Sequence, residues 1–243
     1  MPRFFVDDSA VTENAVVVSG ADARHIARSL RMAVGETVTV CTPSGREFDL
    51  RLTRIRDDLC EGEIIASRKA AGEPPVSIAL YVAYPKGDKL ETVVQKATEL
   101  GAVSVTPFSS AFVVRKPRPE KIAQETERLN RIAEEAAKQC RRGAIPTVTP
   151  PLSFKETLTE AMKVELPLFC YEGEGTRPLP ALLPAKTPES VSVVVGSEGG
   201  FSEDEAEEAK AAGFLLAGLG KRILRCETAP LFALSCLAFR YEL

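Results

Sequence analysis

The stretch Val191-Ser192-Val193-Val194-Val195-Gly196-Ser197-Glu198-Gly199-Gly200-Phe201-Ser202-Glu203-Asp204-Glu205 decides how this chain is read. Its valines make a short apolar strand of the kind buried on both faces in a parallel sheet. The strand runs straight into a glycine-rich turn, and open α/β sheets bind ligands at the carboxyl ends of their strands. Ser202 and Glu205 then have the spacing of a capping box, and Gly213 marks where the helix they start should end. The turn is thus expected to be held between two rigid elements. Glycine there lets a ligand approach the main chain closely, and main-chain groups can read an adenine edge without a charged side chain.

A second turn of the same kind follows. Leu215 to Leu219 reads as a strand, and Leu219-Gly220-Lys221-Arg222-Ile223-Leu224-Arg225 and Cys226-Glu227-Thr228-Ala229-Pro230 lead into an apolar final helix with Thr228 as N-cap and Pro230 in the first turn. Two consecutive strand ends with glycine turns make a two-walled crevice. Upstream, strands at Ser77 to Ala83, Val103 to Pro107 and Leu166 to Tyr171 are interleaved with helical patterns over Lys89 to Leu100, closed by Gly101, and Pro119 to Arg142. This alternation predicts an α/β fold with a parallel sheet covered on both faces. The first 70 residues read differently. Short strands at Ala15 to Val18, Thr37 to Cys41, Phe48 to Ile55 and Gly62 to Ala66 suggest a small barrel, interrupted by one helix over Asp22 to Arg31. The polar run Ser67 to Pro75 is the best candidate for a linker.

At 243 residues the chain can bury a core without disulfides. Its six cysteines are scattered without a C-x-x-C pair, and His25 is the single histidine, so no metal site is expected. The segment MPRFFVDDSA lacks the pattern of a signal peptide and no later stretch is long and apolar enough to span a bilayer, so the expectation is a cytoplasmic protein with no membrane partner. The net charge of -3 does not suggest nucleic acid, yet Arg115, Lys116, Arg118 and Lys121 cluster, as do Lys138, Arg141 and Arg142, and Lys221, Arg222 and Arg225. Three such groups can make one face positive. Gly220-Lys221 is followed by Arg222 and lacks the upstream glycine spacing of a phosphate loop, and no G-x-G-x-x-G fingerprint is present.

GSEGGFSEDE followed by LGKRILRCETA resembles the paired signature of the SPOUT-class RNA methyltransferases, and within them the group that methylates uridine N3 in bacterial small-subunit ribosomal RNA. The similarity extends to Lys86-Gly87, Lys89, Glu91, Gln95-Lys96 and Thr98-Glu99-Leu100-Gly101 in one helix, and to Glu135-Ala136-Ala137-Lys138-Gln139 and Arg142 in another. The resemblance implies a PUA-like β-barrel over residues 1–70, in an RNA-binding role, and a trefoil-knotted SPOUT-like domain over residues 76–243, one of the rare knotted folds. It further implies S-adenosylmethionine as cofactor, ribosomal RNA or the small ribosomal subunit as substrate, and a homodimer. By position, Gly196, Glu198, Gly199 and Gly200 should line one wall of the cofactor site and Leu219, Gly220, Ile223 and Leu224 the other, with Glu172 on a third loop. The sequence departs from the family's usual pattern at Ser197 and Lys221, where proline is common, at Ala111, near a common arginine, and at Arg141, often glycine.

A uracil N3 must lose its proton before it can attack a methyl group. A carboxylate can accept that proton and an arginine can stabilise the anion, which makes Glu198, Glu227, Arg142 and Arg225 the catalytic candidates. Arg24, Arg28 and Arg31 on the barrel's helix, with Arg115, Lys116 and Arg142, are the RNA-binding candidates. Three rivals stand beside this reading: methylation of a different RNA base, a Cys226/His25 hydrolase, for which no oriented third member is visible, and a non-enzymatic RNA-binding module. The final helix is apolar on every face, as expected if one face covers the sheet and another, including Leu237, meets a partner subunit.

Overall fold

A computed structural model describes residues 1–114 and 118–243, and the chain divides into two compact units. The first comprises Met1–Glu73 together with Ala137–Ala144, and the second Pro74–Ala136 together with Ile145–Leu243.

In the first unit, β1 (Arg3–Phe5), β2 (Ala15–Ser19), β3 (Thr37–Cys41), β4 (Arg46–Ile55) and β5 (Leu59–Lys69) form a sheet in the order β1-β3-β4-β5-β2. Its core is Phe4, Val16, Val18, Val38, Val40, Phe48, Leu50 and Leu52, inward-facing residues of the strands, together with Ile26 from the helical segment. β1 escapes the sequence reading because it pairs in parallel with β3, a distant partner that no local turn signals. Ser67 to Lys69, expected in a linker, instead continue β5 and pair with Arg46 to Phe48. The helix expected over Asp22 to Arg31 begins earlier, as α1 (Gly20–Arg24), and widens into a π-helical turn at His25–Ser29. Arg31, at φ +50°, ends it.

The segment Ala137–Ala144 belongs to this unit through polar bonds. Lys138 Nζ pairs with Asp22 at 2.8 Å, Arg3 donates to the Arg142 carbonyl at 3.1 Å, and Glu73 accepts from the main-chain N–H groups of Gly143 and Ala144. The same Arg3 holds the buried Glu47 at 2.7 Å, and Arg68 holds it from the other side. Burial would raise the Glu47 carboxyl, but these two guanidinium groups outweigh it and lower its pKa.

The second unit is an all-parallel seven-stranded sheet of β6 (Ser77–Ala83), β7 (Ala102–Phe108), β8 (Thr147–Val148), β9 (Leu166–Cys170), β10 (Arg177–Pro178), β11 (Ser190–Val195) and β12 (Leu215–Gly218), in the order β10-β12-β9-β11-β6-β7-β8. Its helices are α2 (Lys89–Glu99), α3 (Ile122–Cys140), α4 (Phe154–Ala161), α5 (Leu179–Leu182), α6 (Glu203–Ala212) and α7 (Thr228–Tyr241). β11 lies between β9 and β6 with Val191 and Val193 to Val195 buried, and each buried valine contributes about 1.5–3 kcal/mol. A charge at Val193, paired on both sides, would break this centre.

α7 begins at Thr228 with Glu227 as N-cap, one residue earlier in role than the sequence pattern suggests. Leu237 is fully buried within its own chain, together with Ala233 and Leu234. The expectation that Leu237 faces a partner is therefore corrected: the exposed apolar residues of this helix are Phe232 and Phe239.

Candidate functional site

The loop after β11 is built as the sequence suggests. Ser202 Oγ accepts from the Glu205 N–H and Glu205 Oε2 accepts from the Ser202 N–H, the two halves of a capping box, and Gly213 closes α6 at φ +104°. Glu205 Oε1 also accepts from the Ala111 N–H at 2.8 Å, tying in a neighbouring loop. Phe201, directly after the turn, packs tilted against Phe169 with ring centroids 4.2 Å apart and lies parallel to Phe108. This aromatic anchor carries no sequence motif. Between these fixed points the Gly200 N–H donates to the Ser197 carbonyl at 3.0 Å. Gly200 sits at φ +66°, and a Cβ on Gly196 would meet the Gly200 main chain at 2.9 Å, so both positions require glycine.

The carboxyl ends of β9, β11 and β12 are neighbours, and the loops that leave them enclose a cavity of about 320 Å³. Glu172 comes from the first loop, Gly196, Ser197, Glu198 and Gly200 from the second, and Leu219, Gly220, Ile223 and Leu224 from the third. Lys221 and Arg222 of the third loop line it as well, and so do Tyr171, Thr176, Cys226 and Ala229. Sequence reasoning named neither these four nor Ser197, Lys221 and Arg222 as cofactor-site residues, although their places beside strand ends and at the start of α7 were a signal. Gly199 does not line the cavity: its α-carbon faces the Phe112 side chain, which a Cβ would meet at 2.8 Å. Ile223 lines the wall yet is 81% exposed.

Lys89 joins the two acidic candidates. Its ammonium lies 2.8 Å from Glu198 Oε1 and 3.6 Å from Glu227 Oε2, and the Lys86 main-chain N–H donates to Glu198 Oε1 at 3.0 Å. Burial would raise the Glu198 carboxyl, but the bonds from Lys89 and Lys86 prevail and bring it down to about 2. The Glu227 carboxyl is lowered as well, chiefly by a main-chain hydrogen bond. Cys226 is the opposite case: burial, reinforced by its bond to Glu227, pushes the thiol up to about 12. A thiol so held is not a nucleophile at neutral pH, and His25 belongs to the first unit, edge-on to Phe4. The hydrolase reading is set aside.

Arg225 and Glu227 do not line the cavity; Arg225 is exposed beside its wall, and Glu227 caps α7. Arg142 is buried, unlike the other described basic candidates. It is 3% exposed, and its guanidinium grips Glu73 with two bonds, Nε to Oε1 at 3.2 Å and Nη2 to Oε2 at 2.5 Å. So engaged, it forms a bidentate ion pair within the first unit. Arg24, Arg28 and Arg31 are exposed on one short segment, with Arg28 partly neutralised by Asp57. Arg115 and Lys116 lie outside the described residues. Among the described residues no group of three or more His, Cys, Asp or Glu side chains could hold a metal ion, and no helix is long and apolar enough to cross a membrane.

Residues 72–238 match the model of the RNA methyltransferase domain family, and residues 18–65 that of the RNA methyltransferase PUA domain. The chain is similar over its whole length to ribosomal RNA small subunit methyltransferase E of Bacillus subtilis, at 34% identity covering 98% of that protein. It is also similar to the protein of that name from Synechocystis, at 32% identity over 96% of this chain and 76% of the other. Among solved structures, ribosomal RNA small subunit methyltransferase E from Neisseria gonorrhoeae, bound to S-adenosyl methionine, superposes with a TM-score of 0.87 at 29% identity, covering 98% of this chain and 97% of that one.

Proposed function

Because the chain belongs to the RNA methyltransferase domain family, we propose that it transfers a methyl group from S-adenosylmethionine to N3 of one uridine in small-subunit ribosomal RNA. The observation that carries this reading is a cavity formed by three adjacent strand ends in a chain that aligns end to end with ribosomal RNA small subunit methyltransferase E of Bacillus subtilis. The resemblance of GSEGGFSEDE and LGKRILRCETA to the uridine-N3 group supports the finer specificity.

The residues present fit the cofactor. The cavity is of small-ligand size, its main chain is opened by Gly196, Gly200 and Gly220, and Leu219 and Leu224 give it an apolar wall. Glu172 and Glu198 provide negative charge suited to a sulfonium compound. When bound, S-adenosylmethionine supplies an electrophilic methyl carbon. The chain's part is to hold the acceptor nitrogen in line with it, and such alignment can lower a barrier by roughly 7–11 kcal/mol. Glu198, with its pKa near 2, is a poor general base and serves as fixed negative charge positioned by Lys89. Glu227, which lies just outside the cavity lining and whose ion pair with Lys89 is longer, is the remaining candidate for the proton acceptor. The exposed Lys221 and Arg222, which line the cavity, and Arg225 beside it suit the phosphates of the substrate, and Arg225 the developing uracil anion.

The knotted path implied by the family, a PUA-like RNA-binding role for the first unit, and a cytoplasmic place of action belong to the same proposal. So does a homodimer, supported by the exposed Phe232 and Phe239 of α7. The test is nucleoside mapping of 16S ribosomal RNA from a strain lacking this protein. Loss of a single 3-methyluridine, restored by the gene, is expected; an unchanged nucleoside profile would overturn the proposal.

A further inference from the structure

We propose that the Ile223 side chain is a substrate contact, an apolar ledge against which the face of the unpaired target uracil packs at the rim of the cavity. The inference rests on the reading of this chain as a uridine-N3 methyltransferase and names a residue for its RNA side. N3 lies on the edge of uracil used in Watson–Crick pairing, so a base to be methylated there must first leave its partner. Bases taken out of a helix in this way are held against aromatic or apolar side chains, which replace the lost stacking.

Ile223 is placed for such a contact. It lines the cavity and is 81% exposed, so it can be reached both from the cavity and from solvent. Apart from the C-terminal Leu243, no large apolar side chain among the described residues is more exposed. The other apolar residues of the same loop are treated differently. Leu219 and Leu224 are half-buried and pack against the core of the second unit, which Ile223 does not join. An aliphatic side chain held off the core at the edge of a ligand cavity keeps apolar area in water until something covers it.

The charges around it select the occupant. Lys221 and Arg222 precede it and Arg225 follows; all three are exposed, and among the described residues none of them pairs with a carboxylate. Free cations so closely spaced suit the phosphates of a polyanion, and an apolar side chain set among them suits a base that the polyanion carries. The cofactor, cationic at sulfur, has its negative partners elsewhere on the wall, at Glu172 and Glu198.

The test compares wild-type protein with Ile223→Ala in methyl transfer to small ribosomal subunits from a strain lacking this protein. It is accompanied by calorimetric titration of S-adenosylmethionine and by sedimentation. The expected result is a fall of about tenfold in kcat/KM for the subunits, equivalent to about 1.4 kcal/mol, with cofactor affinity and sedimentation as in wild type. An unchanged kcat/KM overturns the inference. A loss of cofactor affinity that matches the loss of activity assigns Ile223 to the cofactor and overturns it too. So does a shift of Ile223→Ala toward the monomer, which would mean that a second copy of the chain covers the side chain. If wild-type protein transfers no methyl group to uridine N3, the reading of the reaction fails and the inference falls with it; if wild type does and the variant matches it, only the inference falls.

Discussion

Replacing Gly200 with valine tests the glycine turn most sharply. At φ +66° the residue is in the left-handed region, where a side chain costs about 1–2 kcal/mol and a β-branched one more. The new Cβ would overlap the Glu172 carboxylate, which must swing away from its place on the cavity wall. For a chain of this size each kcal/mol lowers the melting temperature by roughly 2–4 °C, so a fall of about 2–8 °C is expected. Loss of the Glu172 charge and the two methyl groups added at the cavity should weaken S-adenosylmethionine binding at least tenfold, about 1.4 kcal/mol. Gly220→Ala is the control. Gly220 is at φ +113° with nothing within 4 Å of an added Cβ, so this variant carries backbone strain without the overlap and should lose stability with a smaller loss of affinity. Calorimetry and thermal melting on the same preparations separate the two effects. A folded Gly200→Val protein with wild-type affinity would refute the placement of the cofactor against this loop.

Arg142→Ala should destabilise the protein by roughly 2–3 kcal/mol, since it strands Glu73 and removes a buried bidentate pair, while cofactor affinity measured on the folded fraction stays unchanged; a fall in affinity at full stability would place Arg142 in the active site. The Glu198 carboxyl, lowered from 4.5 to about 2 by folding, gives stability that is full above about pH 4.5 and is lost as the pH falls through about 2. The stability margin of wild type over Glu198→Gln, followed by denaturant unfolding, should therefore shrink across that window and should be largely absent in a Lys89→Met background; a margin independent of pH would remove the ion pair from the account. Phe239→Glu should leave the subunit folded, since the ring is 75% exposed, and shift sedimentation toward the monomer. Leu237→Glu should instead unfold it, because that side chain has no exposure. A Phe239→Glu protein that sediments as wild type would exclude this face as the dimer contact.

The parts of the fold legible in the sequence were those with local causes. The valine strand, the capping box at Ser202 and Glu205 and the terminal Gly213 are all fixed within a few residues of each other, and the structure contains each of them. The two glycine walls were legible for the same reason, since strand end and turn are adjacent in sequence. What could not be read was set by distant partners. β1 exists because β3 is there to pair with it, and the tail of α3 joins the first unit because Arg142 reaches Glu73. An arginine in a basic run carries no mark that distinguishes a buried ion pair from a phosphate contact. Lys89 was visible in the pattern of its helix, but its role between Glu198 and Glu227 depends on residues more than 100 positions away. Gly199 shows the limit within the motif itself: of neighbouring glycines, two serve the cavity side and one accommodates Phe112.

The most direct test of the central claim is methyl transfer by the purified protein. Small ribosomal subunits from a strain lacking it would be incubated with S-adenosylmethionine carrying a labelled methyl group, and the 16S ribosomal RNA digested to nucleosides. Label in 3-methyluridine is expected, approaching one methyl group per subunit. Label in a different nucleoside would contradict the assigned position, and no transfer to either subunits or free ribosomal RNA by protein that binds the cofactor would contradict the assigned reaction.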